Sequence, residues 1–173
     1  MGFLDLNLSW LGWPHTFLCV TAMAAFFPVM LSRKGGNAHL AWGRRYTIAY
    51  AAACVTSLGI YRQHKFWFPH WLAVGGLVVL GAGYLAARFK PPGWRYVHII
   101  GMLLSASNLF GGAITEAFLR IRPLRPMLGS PVHNILQTVT GQVFFILIIV
   151  YVVLTAVRSS RRTKRAVAEE SAS

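Results

Sequence analysis

The stretch VFFILIIVYVVLTAV, Val143 to Val157, decides the fold. It holds no charge, and with the residues back to Pro131 it makes one apolar segment. Crossing the ~30 Å hydrocarbon core of a bilayer takes about 20 such residues in a helix. Lipid offers no partner to a bare backbone N–H or C=O, so the segment must be helical.

Four similar runs precede it. The first is Trp13 to Leu31, closed by Ser32-Arg33-Lys34-Gly35-Gly36. The second is His39 to Tyr61; Arg44 and Arg45 put its first two turns at the interface, so its apolar part starts at Tyr46. The third is Pro69 to Phe89, followed by Lys90-Pro91-Pro92-Gly93. The fourth runs from Trp94 to Phe118, with Pro123 and Pro126 beyond it. The expected fold is therefore an all-α integral membrane bundle of about five transmembrane helices. Residues 1–12 form an interfacial N-terminal segment, 13–157 the transmembrane domain, and 158–173 a basic, disordered cytoplasmic tail.

Composition agrees. The 173 residues are 55% hydrophobic and 12% charged, with a net charge of +13, where a soluble domain carries roughly 25% charged residues. The basic residues sit in clusters between apolar runs and form no stripe on a helix face, so nucleic acid is not the expected partner; the lipid bilayer is. Twelve Lys and Arg flank one set of helix ends (Arg33, Lys34, Arg44, Arg45; Arg88, Lys90, Arg95; and the tail). Five flank the other (Arg62, Lys65, Arg120, Arg122, Arg125). The richer side belongs in the cytoplasm, which puts the N-terminus outside, and the basic tail would lie against anionic lipid. Trp10, Trp13, Trp42, Trp67, Trp71 and Trp94 mark helix ends, as interfacial aromatics do. Met1 to Leu11 lacks a charged n-region and an A-x-A site, so no cleaved leader is expected. Leu6 stands where a myristoylation signal wants Ser or Thr. Cys19 and Cys54 lie inside apolar runs and read as small packing residues.

Each helix carries one histidine in its first turn or two: His15, His39, His70, His98 and His133; His64 falls in a loop. Helix alternation puts His15, His70 and His133 on the outer side, and His39 and His98 on the inner. One interfacial histidine alone reads as an anchor with a wet end and an apolar body. Five in register point to metal or haem ligation, because neutral imidazole coordinates both. Two histidines on different helices at one depth would clamp a haem, His15 with His70 outside and His39 with His98 inside. Gly43 and Gly101 beside the inner pair would leave room for a flat macrocycle, or serve helix packing. Glu116 is either a proton acceptor beside the outer histidines or an i,i+4 partner of Arg120, and the pair is favoured. Asn108 reads as an interhelical hydrogen bond. No paired carboxylates, Ser-His-Asp set, Walker loop or HExxH motif is visible.

The order His15, His39, His70, His98 resembles the cytochrome b-561 type of membrane cytochrome, which carries one histidine on each of four consecutive helices. The resemblance implies two haem b groups and transmembrane electron transfer, with a membrane redox partner or quinone. A second resemblance covers Trp13 to Arg120. The stretch His15…Arg33-Lys34-Gly35…His39-x-x-x-Gly43-x-x-Tyr46, then His98-x-x-x-Met102 and Arg120, is similar to an uncharacterised bacterial multi-pass inner-membrane family known as a domain of unknown function. His70 stands outside that pattern. This likeness implies fold and location, and no activity. The expectation is a haem-dependent membrane oxidoreductase. The alternatives are a non-catalytic accessory or structural subunit, and an outer-face cation site or transporter built on His15, His70, His133 and Glu116.

Overall fold

The computed structural model describes residues 10–60 and 68–170; His64 lies outside them. Among the described residues five α-helices form: α1 Gly12–Leu31, α2 Asn37–Leu58, α3 Phe68–Phe89, α4 Trp94–Arg120 and α5 Pro131–Glu170. A 3-10 turn, Arg122–Met127, joins the last two. The architecture is an all-α bundle, and α1, α3, α4 and α5 are each long and apolar enough to cross a membrane.

Local sequence sets the ends. Pro14, Pro69 and Pro131 each fall in the first turn of their helices, where the missing N–H has no partner to lose. At the other end of α1, the carbonyls of Val29 and Met30 have no donor within the helix. The Lys34 ammonium reaches back to both at 2.8 Å. Gly93 takes the left-handed conformation at the cap of α4, φ +74°, which a residue without a Cβ adopts at no steric cost.

α2 is not among the helices apolar enough to cross by composition, which leaves four where the sequence suggests about five; it packs on α1. It runs antiparallel along the whole of α1, tied at one end by His15 to the Ala53 carbonyl and at the other by His39 to the Val29 carbonyl. Ala22 and Ala25 of α1, with Ala49 and Ala53 of α2, are buried in the core and keep the two helices close. Lipid tails are as apolar as a protein core, so close packing and hydrogen bonds hold such helices together. α3 and α4 meet backbone to backbone at Gly83 and Gly101. Phe26 of α1 joins four helices through ring contacts with Tyr46, Phe110 and Phe144 at 6.3, 5.4 and 5.7 Å.

α5 packs mainly on α4 and continues past Val157, where the sequence reading places a disordered tail, as far as Glu170. No Gly or Pro occurs between Gln142 and Glu170, and Arg, Lys, Ala and Glu are all good helix formers.

Candidate functional site

α2 and α4 lie parallel, and two hydrogen bonds set their register. The Tyr46 hydroxyl bonds Ser105 Oγ at 2.8 Å. One turn on, Asn108 Nδ2 donates to the Tyr50 hydroxyl at 2.9 Å and to the Leu72 carbonyl of α3 at 2.8 Å. The Tyr46 and Tyr50 rings stack, 5.9 Å apart and 12° from parallel. These bonds put the tyrosines of α2 at the height of Ser105 and Asn108.

His39 precedes Tyr46 by seven residues, and His98 precedes Ser105 by the same seven. The two imidazoles therefore share a height, about 10 Å from the Tyr46–Ser105 bond at 1.5 Å rise per residue. Each is held in the same way. His39 Nδ1 lies 3.2 Å from the Val29 carbonyl, and His98 Nδ1 lies 2.9 Å from the Gly83 carbonyl. A carbonyl only accepts, so each Nδ1 carries the proton and each Nε2 keeps its lone pair. That tethering is what fixes the tautomer and orientation of a metal-bound histidine. Gly43, one turn from His39, has open space where a Cβ would go. Gly101 is different. A Cβ there would meet the Val79 carbonyl at 2.5 Å and the Gly83 Cα at 2.9 Å. The room expected there for a macrocycle is filled by α3, and the glycine serves helix packing.

The outer histidines are arranged otherwise. His15 is engaged within the α1–α2 pair at both nitrogens. Nδ1 faces the Ala53 carbonyl at 2.9 Å and Thr56 Oγ1 at 3.2 Å, and Nε2 lies 3.6 Å from Cys19 Sγ. His70 is buried, 4% exposed, at the start of α3. His133 packs edge-on against Phe118 at 4.9 Å, its two ring nitrogens buried without a hydrogen-bond partner among the described residues. Glu116 pairs with Arg120 at 3.6 Å, the favoured expectation. The cation set of His15, His70, His133 and Glu116 does not form: among the described residues, no three of His, Cys, Asp or Glu are placed to hold a metal ion. The helix starts share one end of the bundle, but their side chains turn to different neighbours.

Asn108 bonds between helices, as its residue type suggested. The Tyr46–Tyr50 stack is not among the sequence expectations. Its signal was two tyrosines one turn apart in a helix otherwise rich in alanine. Lys34 counts in the sequence only as a topology charge, yet it caps α1 and lies 5.5 Å over the Tyr151 ring of α5. Comparison with protein families, with curated proteins and with solved structures returns no match.

Proposed function

We propose that the chain is a membrane-embedded b-type haem protein that carries electrons, with its haem held by His39 and His98. One observation carries this reading: the Tyr46–Ser105 bond sets two Nδ1-tethered histidines at one height on parallel helices. Haem, when bound, supplies one-electron redox chemistry. The chain's own residues do the rest. His39 and His98 would present Nε2 lone pairs, because the Val29 and Gly83 carbonyls engage Nδ1 of each ring. The open face at Gly43 admits a flat ring. Arg44, Arg45 and Arg95 supply positive charge near the same end for the two carboxylates that haem b carries. The proposal covers one haem, because both His15 nitrogens are already used.

The test is haem content per protein and the visible spectrum of the reduced, detergent-extracted chain. Wild type should show the sharp bands of six-coordinate haem. His39→Ala and His98→Ala should each remove the same haem, because b-type haem has no covalent tether. His15→Ala should retain it. A chain that stays colourless after hemin is added, or that holds equal haem in wild type and both inner variants, defeats the proposal.

A second reading, a non-catalytic membrane subunit, is favoured by the ties themselves. His15, His39 and His98 each bond a carbonyl of the antiparallel neighbour, as a purely structural staple would. A colourless protein destabilised by all three alanine substitutions supports that reading.

A further inference from the structure

Among the described residues, the amides deepest in the bundle are bonded between helices, with one exception. Asn108 donates to Tyr50 and Leu72. Gln137 Nε2 donates to the Gly111 carbonyl at 2.8 Å and to Thr115 Oγ1 at 2.7 Å. Gln142 of α5 is exposed, and its amide meets no partner among the described residues. Its depth follows from its neighbours. His133 packs against the end of α4 at Phe118, and Tyr151 lies under Lys34 at the opposite end of the bundle. Gln142 is nine residues from each, about 14 Å along the helix, which is the middle of a ~30 Å hydrocarbon core. An amide there faces lipid that can neither donate nor accept.

We infer that this face of α5 binds a second copy of the chain, the Gln142 amides pairing across a two-fold axis normal to the membrane. An amide is its own complement, donor and acceptor on one group. Two copies inserted in the same orientation hold Gln142 at the same depth by symmetry. The surrounding surface suits close approach. Thr138 lies one turn away on the same face and is exposed, and Gly141 has nothing within 4 Å of a Cβ. The rest of α5 packs on α4 through the opposite side, where Phe144 is buried. Such a pairing sets the basic ends of the two α5 helices side by side. Those ends lie in water, where a Debye length of about 8 Å at physiological salt screens them.

The experiment uses the full chain in lipid bilayers, with Cys19 and Cys54 replaced by alanine and single cysteines introduced. Under mild oxidation Thr138→Cys and Ile149→Cys should form covalent dimers, and Val78→Cys, on the exposed face of α3, should not. Gln142→Leu, which keeps the helix apolar, should weaken self-association measured by energy transfer between labelled copies about tenfold. Gln142→Asn should restore part of it. A chain that stays monomeric at densities where helix dimers form overturns the inference. So does cross-linking through Val78 in place of α5, a Gln142→Leu chain that associates as wild type does, or α5 captured only by a different membrane protein.

Discussion

Replacing Gly101 with alanine should unlock the α3–α4 contact and the histidine tied to it. The new Cβ would lie 2.5 Å from the Val79 carbonyl oxygen and 2.9 Å from the Gly83 nitrogen and Cα. All three are backbone atoms and cannot swing aside. Carbon contacts are comfortable at about 3.5 Å, so the helices must part by roughly 0.6–1 Å. Overpacking of that kind costs about 1–3 kcal/mol. The same movement stretches the His98–Gly83 bond from 2.9 Å to beyond 3.5 Å, where it no longer counts as one; its loss adds about 0.5–1.5 kcal/mol. Alanine regains at most ~1 kcal/mol through helix propensity. The net expectation is a loss of about 2 kcal/mol, read as a lower midpoint of SDS-induced unfolding in mixed micelles. Gly75 and Gly81 have open space where a Cβ would go, so Gly75→Ala and Gly81→Ala should be neutral or slightly stabilising. Wild-type stability in Gly101→Ala, or equal losses at all three positions, would refute the reasoning.

Asn108→Leu removes two interhelical bonds at membrane depth and should cost about 1–2 kcal/mol in the same unfolding assay; an unchanged midpoint would mean those bonds contribute nothing net. Lys34→Met uncaps the Met30 carbonyl and leaves that of Val29 to His39 alone; it should raise hydrogen exchange in the last turn of α1, leaving the middle of α1 protected. For topology, a single cysteine at Lys164, which is exposed on the extension of α5, should react with an impermeant thiol reagent only after the cells are opened. Labelling in intact cells would reverse the orientation drawn from the charge count.

Much of the molecule was legible along the chain because its signals are local. Length and unbroken apolarity mark a membrane-crossing helix whatever it packs against, so the boundaries at Leu31, Phe89 and Pro131 were readable directly. Proline in the first turn and glycine or lysine after the last act within one turn of backbone. The i,i+4 spacing of Glu116 and Arg120 fixes their pairing within a single helix. The placing of the five histidines near helix starts was equally plain. What each ring touches was not, because that depends on rotation and register between helices. In a soluble protein the apolar stripe of a helix shows which way it faces. Here lipid and core are both apolar, so the sequence carries little record of the buried face. The tertiary structure alone decided that His15 turns into α2, that Gly101 receives the backbone of α3, and that Tyr46 meets Ser105 so that His39 and His98 stand level. It also left Gln142 exposed within the apolar stretch of α5, because that helix packs through the side that carries Gln137 and Phe144.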